Sequence, residues 1–213
     1  MKYDRSKIPS VTVNRLSIYY RYLERLIETE EGRNIKTISS YEISKKTGIN
    51  SSQVRKDLAY FGEFGTRGIG YHIENLIDIL KKILKSDKEW NIILAGAGNI
   101  GKALAQYEGF RKRGFFIKGI FDNNPRKINE KIDNIHVYDV KDMGKYIRKW
   151  HIEIGIIAVP ENSAQRVADI MIAGGIKSIL NFSPVHIKLS PEIKLKNLDL
   201  SVELESLTYY LNL

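Results

Sequence analysis

The sequence predicts an α/β chain with an N-terminal winged helix-turn-helix domain over residues 1–85, a Rossmann-like parallel-sheet domain over 86–199, and a C-terminal helix over 200–213. Three observations carry this reading. Two short helical patterns meet at Gly48 and run into a glycine cluster, Gly62-Glu-Phe-Gly65-Thr-Arg-Gly68-Ile-Gly70. An apolar run, NIILA at 91–95, enters the glycines GAGNIG at 96–101. From there to residue 182 strand and helix patterns alternate, and the strands are apolar throughout, as in a parallel sheet covered on both faces.

Length and composition agree with two globular domains: 213 residues, 43% apolar and 28% charged. No run approaches the roughly 18 apolar residues of a membrane span, and residues 1–10 lack a signal-peptide core, so a cytoplasmic protein with no membrane partner is expected. Cysteine is absent, which excludes disulfides, thiolate metal sites and a thiol redox switch. His72, His136, His151 and His186 lack ligand spacing, so no metal is expected. Net charge is +9, and residues 1–70 hold 13 Lys and Arg against 8 Asp and Glu, or +5 of that excess. Such a bias suits a domain that meets a polyanion.

Residues 14–30 read as an amphipathic helix with Leu16, Tyr20, Leu23 and Ile27 on one stripe, and Gly32 as its C-terminal cap. In SSYEISKKTGINSSQVRKDL, Ser39 and Glu42 have capping-box spacing, Ile43 faces the core, and Gly48 supplies the turn. Asn50 or Ser51 caps the next helix. On that helix Val54, Leu58 and Phe61 share the buried face. The opposite face centres on Ser52, Lys56 and Ala59, flanked by Gln53, Arg55 and Tyr60. Donors and acceptors separated by small residues suit a major groove. Arg67 stands at the tip of the glycine wing, where either a phosphate or the minor groove is within its reach. Asp57 lies toward the core and is expected to pair with a nearby base. A connecting helix follows at 73–85, with Ile73, Leu76, Ile77, Leu80 and Leu84 on one side.

The glycine loop has the form of a dinucleotide site. Gly96 makes a tight turn, Gly98 lets backbone approach a pyrophosphate, and Gly101 lets helix and strand pack closely. Ala97, Asn99 and Ile100 complete the loop, and the helix it opens offers free N–H groups to phosphates. The next strand, FFIKGIFD, ends in Asp122, 21 residues past Gly101. A carboxylate there accepts ribose hydroxyls and repels a 2′-phosphate, which favours NAD(H), although Arg126 and Lys127 leave NADP(H) open. Further elements are expected as a helix at 99–110, a strand at 115–122, a helix at 141–150, a strand at 152–159, a helix at 162–173 and a strand at 176–182. The segments AVPENSAQ (158–165) and NFSPVH (181–186) should reach the same sheet edge and bring Val159, Pro160 and Asn181 to the cofactor. Their one candidate for proton transfer is His186, so binding without turnover, and no catalytic residue, is expected. An NAD-dependent oxidoreductase and a regulator that binds another adenine nucleotide, such as coenzyme A, stay open as alternatives.

QVRKDLAYFGEFGTRGIGY (53–71), GAGNIGKALAQY (96–107), FDNNPRK (121–127), AVPENSAQRVAD (158–169), AGGIKSILNFSP (173–184) and DLSVELESLTYYL (199–211) together resemble the Rex family of bacterial redox-sensing repressors. The resemblance implies a C-terminal helix swapped between the subunits of a homodimer, and operator DNA bound as an inverted repeat. It implies that NADH releases the DNA while NAD⁺ permits or favours binding. By the same resemblance, Gly96, Gly98, Gly101, Asp122 and Tyr107 hold the cofactor. Ser51, Ser52, Gln53, Arg55, Lys56, Tyr60 and Arg67 face DNA. Arg21, Tyr107 and Asp199 couple the two events. A contact must differ between the two states, so Asp199 is expected to bond Tyr107 in one and pair with Arg21 in the other. One departure is Asn99, where some relatives carry an arginine. Leu200, Leu204, Leu207 and Leu211 form an apolar stripe that suits packing either on its own domain or between subunits; the resemblance favours the second.

Overall fold

A computed structural model of the chain describes residues 8–211. It divides into two compact units, one ending at Lys88 and the other beginning at Glu89.

The first unit runs α1 (Ser10–Glu28), α2 (Glu30–Arg33), β1 (Thr37–Ile38), α3 (Ser40–Thr47), α4 (Ser51–Ala59), β2 (Gly65–Thr66), β3 (Gly70–His72) and α5 (Ile73–Leu84). The strands pair antiparallel in the order β1-β3-β2. Leu16, Tyr19, Leu23, Ile43, Val54, Leu58, Leu76 and Leu80 meet in one core. The stripe on α1 is thus buried, but the helix begins four residues before the expected position. Pro9 precedes it with φ −61° and ψ 139°, and proline suits the start of a helix because the first N–H groups have no partner there. Gly32 is not the C-terminal cap. α1 stops at Glu28, Thr29 turns extended and accepts from the Gly32 N–H, and Gly32 lies within the one-turn α2. Its Cβ would stand 1.8 Å from the Leu26 carbonyl oxygen, so close backbone approach explains this glycine.

The second unit runs β4 (Trp90–Ala95), α6 (Asn99–Ala105), α7 (Glu108–Arg111), β5 (Phe115–Asp122), β6 (Lys131–Ile132), β7 (Ile135–Asp139), α8 (Met143–Lys149), β8 (Ile154–Ile157), α9 (Glu161–Gly174), β9 (Ser178–Asn181), β10 (Lys194–Asn197) and α10 (Leu200–Thr208). The sheet order is β10-β9-β8-β4-β5-β7-β6. All pairs are parallel except β6 with β7. The chain builds outward from β4 first to one side and then to the other, so a crevice opens at the carboxyl ends of β4 and its neighbours.

The expected helix at 99–110 is two helices. Tyr107 takes φ −74° and ψ 100°, and its ring covers Gly109, where any Cβ would lie 2.4 Å away. The turn also packs Phe110 against the sheet core and sets its ring edge-on to Tyr107. Along α10 and just beyond it the four leucines of the stripe are exposed, Leu204 by 66% and Leu211 by 77%. In the single chain this stripe is not packed on its own domain.

Candidate functional sites

The helix-turn-helix is built from local hydrogen bonds. The Ser39 hydroxyl accepts from the Glu42 N–H at 3.1 Å, and the Glu42 carboxylate accepts from the Ser39 N–H at 2.7 Å. The Ser39 hydroxyl also donates to the Glu42 carboxylate at 2.7 Å. The two donors from Ser39, its N–H and its hydroxyl, hold that carboxyl below its usual range against a smaller opposing effect of burial. Gly48, at φ +72°, closes α3 in the left-handed region. Asn50, rather than Ser51, caps α4, accepting from the Ser52 N–H at 2.8 Å.

On α4 the side chains of Val54 and Leu58 are buried, with Phe61 just beyond the helix, while Ser52, Arg55, Lys56, Ala59 and Tyr60 are exposed. Arg55 donates to Ser40 Oγ at 2.9 Å and to Ser52 Oγ at 3.1 Å, which braces it across the two helices. The antiparallel β2–β3 turn holds Arg67 in solvent, and a groove between α4 and this wing is lined by Arg55, Ala59, Phe64, Arg67 and Tyr71.

Asp57 is fully buried and pairs with a base, Arg15, whose Nε and Nη2 donate to it at 2.6 and 2.7 Å. Tyr19 OH donates at 2.8 Å and Thr12 Oγ1 at 3.2 Å. Burial works against ionisation of Asp57, but hydrogen bonds from Arg15, Gln53 and Tyr19 and the charge of Arg15 outweigh it. The carboxyl stays below its ordinary range. Burial and the bond to Asp57 push the Tyr19 phenol up, so it remains a donor. Gln53, placed by sequence on the exposed face, also donates to Asp57, at 2.8 Å. The identity of the base and the five-residue network were not readable from spacing, because Arg15 and Asp57 are 42 positions apart.

In the second unit the three glycines have three different reasons. Gly96 has φ +107°, and a Cβ there would lie 2.2 Å from the Ala158 carbonyl oxygen. A Cβ on Gly101 would lie 1.9 Å from the Gly96 carbonyl oxygen. Gly98 meets nothing within 4 Å, so its missing side chain leaves open space above the loop. Asn99 and Ile100 are exposed beside it, and no side chain caps the start of α6. Ala97 is buried and offers only its backbone, which donates to Asp122 Oδ2 at 2.7 Å.

Asp122 therefore also ties β5 to the loop. Its Oδ1 accepts from the Asn124 N–H at 2.8 Å, and Lys127 Nζ lies 3.4 Å from Oδ2. Burial raises its pKa, but the N–H groups of Asn124 and Ala97 and the charge of Lys127 lower it further, leaving an ionised carboxylate. Val159 is half-buried next to Gly96, and Pro160 is exposed at the start of α9. Asn181 differs from expectation. It is wholly buried, its Nδ2 donates to Ser183 O, Val185 O and Asn197 Oδ1, and its Oδ1 accepts from the Ser183 N–H. With its amide spent in this way, Asn181 shapes the loop instead of offering a free group. Ser183, unassigned by sequence, donates to the Val159 carbonyl at 2.6 Å and links the two strand-end loops.

Of the residues expected to couple the two events, Arg21 belongs to the first unit and Tyr107 and Asp199 to the second. Arg21 is exposed on α1. Tyr107 is 59% exposed and follows α6 instead of lying on it. Asp199 caps α10, with Oδ1 accepting from Ser201 N at 2.9 Å and Ser201 Oγ at 2.6 Å.

Comparison with known proteins matches each unit and the whole. Residues 7–59 match the family described as putative DNA-binding protein N-terminus, and residues 87–185 match the CoA binding domain. A redox-sensing transcriptional repressor Rex of Pelotomaculum thermopropionicum is 50% identical over 96% of this chain and 94% of its own length. The Rex of Syntrophomonas wolfei is 49% identical over 97% of both chains. Among solved structures, RSP in complex with β-NAD⁺ and operator DNA is 43% identical, with TM-score 0.88 over 96% of this chain and 93% of that one. RSP in complex with β-NADH is 42% identical, with TM-score 0.85 over 97% and 95%.

Proposed function

Because the chain belongs to the Rex family of redox-sensing transcriptional repressors, we propose that it binds operator DNA through α4 and the wing and releases it when NADH occupies the glycine loop. It is a repressor and not an enzyme. The observation that carries the cofactor half is the open space above Gly98 beside the ionised Asp122. A pyrophosphate has room there, and a ribose finds an acceptor, which also argues for a dinucleotide over coenzyme A with its ribose phosphate. The bound nicotinamide supplies the redox signal. On the chain's side, Gly96 and Gly101 fix the loop, Asn99 and Ile100 flank it, and Val159 and Pro160 wall the crevice. Ala97 contributes backbone, and Asn181 shapes the neighbouring loop.

Ser51, Ser52, Gln53, Arg55, Lys56, Tyr60 and Arg67 form the DNA face, with an inverted repeat matching a two-fold dimer. The exposed leucines of α10 are covered by a second copy of the chain, in a swap between subunits. Arg21, Tyr107 and Asp199 relate cofactor state to DNA release. No described helix is long and apolar enough to cross a membrane, and a repressor that meets DNA and NADH works in the cytoplasm. Operator binding titrated separately with NADH and NAD⁺ tests the assignment. NADH alone should dissolve the complex; indifference to both cofactors overturns it.

A further inference from the structure

Asp57 accepts five hydrogen bonds beneath α4: from Thr12, Arg15 Nη2 and Gln53 on Oδ1, and from Arg15 Nε and Tyr19 on Oδ2. A carboxylate held in its ionised form only accepts, so only the nitrogen end of the Gln53 amide can face it. The amide oxygen is then turned away from Asp57. Gln53 also borders the open surface of α4 together with Asn50, Ser52, Arg55, Lys56 and Ala59. A glutamine free on such a face can swing either end toward a base. Here the nitrogen end is anchored, and what α4 can present is a fixed acceptor.

In the major groove an acceptor complements an exocyclic amino group, which adenine carries at N6 and cytosine at N4. Guanine O6 and N7 and thymine O4 are acceptors themselves. We propose that Asp57 is a positioning residue that orients Gln53, and that Gln53 reads an adenine or cytosine through its amide oxygen. The inference rests on α4 being the DNA-reading helix. It concerns specificity and not folding, because Arg15, Tyr19 and Thr12 still satisfy Asp57 when Gln53 is removed.

The test is a cycle between protein and base. A duplex is first selected by the full-length protein from a random-sequence pool, and binding is read by fluorescence anisotropy without NADH. In both half-sites each adenine base is replaced in turn by purine and each cytosine base by 2-pyrimidinone, on the same deoxyribose, which deletes only the amino group. One position should weaken binding of the unmodified protein by roughly tenfold or more while leaving Gln53→Ala unaffected. Asp57→Asn, whose own amide can donate to the Gln53 oxygen and free the amide plane, should reduce that penalty. If this variant does not fold, Gln53→Ala decides the base reading, and the unmodified protein decides the orientation. A Gln53 amide held by Asp57 as a fixed acceptor should lose affinity when the amino group is deleted and should not recover it with any base that offers only an acceptor there. Equal penalties in Gln53→Ala and the unmodified protein at every position overturn the proposal. Failure of the unmodified protein to prefer the selected duplex over a random one would instead overturn the DNA-binding assignment.

Discussion

Gly101 lies so close to Gly96 that a Cβ on it would stand 1.9 Å from the Gly96 carbonyl oxygen, whereas a Cβ on Gly98, between them, would touch nothing. The two kinds of glycine should therefore respond differently to substitution. Gly101→Ala should destabilise the second unit by about 1–3 kcal/mol, since neither backbone nor strand can give way cheaply. Gly98→Val should leave the melting temperature nearly unchanged and abolish NADH binding. Thermal melts beside an NADH fluorescence titration separate the two. A Gly98→Val protein that still binds NADH refutes the role given to that open space.

Asp122 braces Ala97, and in the proposed function it also accepts the ribose. Asp122→Ala should weaken NADH by tenfold or more and narrow its advantage over NADPH, measured by competitive titration. NADPH binding to the unmodified protein as tightly as NADH would remove the discriminating role.

Both Asp57 and Asp122 are held below the ordinary carboxylate value of 3.8, in each case because hydrogen bonds and a cation outweigh burial. A carboxyl with a lowered folded pKa gives stability that is complete above the unfolded value and lost as pH falls through the folded one. Stability from these two groups should hold from neutral pH down to about pH 4 and decline below it. Urea unfolding across that range should show a flatter acid limb for Asp122→Asn than for the unmodified protein.

Asp199 caps α10 through an oxygen that asparagine also possesses. Asp199→Asn should keep the cap, while Asp199→Ala loses it and frays the start of the helix. If a charge pair with Arg21 transmits the cofactor state, both variants should blunt NADH-driven release from DNA. Release that is normal in Asp199→Asn and impaired only in Asp199→Ala would assign the residue to capping alone.

The exposed stripe on α10 predicts a chain that associates through it. Leu204→Lys with Leu207→Lys should shift the mass seen by light scattering from dimer to monomer and cost operator affinity, with NADH binding to the glycine loop retained. A persistent dimer would place the interface elsewhere.

Much of this was legible where one residue type answers one local demand. The Ser39–Glu42 box, the left-handed Gly48 and the turn at Gly96 follow from spacing and backbone sterics alone. Tertiary demands were hidden. The break at Tyr107 depends on a ring seated over Gly109. β10, whose KLKN reads as polar, exists because β9 offers it a parallel partner at the sheet edge, where lysines are at home. Asn181 shows only a polar residue at a strand end, and nothing in its spacing says that its amide turns inward to the loop. For Gln53 the face was readable but the grip of Asp57 was not, since its anchor reaches back to α1.

A protomer whose last helix shows its leucines to water is half a regulator until it meets a twin. When most protomers are monomeric and the operator is far from saturated, occupancy of a palindromic operator rises with about the square of the protomer concentration. Halving expression then leaves about a quarter of the bound operator, with no change in NADH. The NADH level at which transcription switches on is thus set by gene dosage as well as by the cofactor site, and a strain carrying extra copies should need more NADH to open the same promoter.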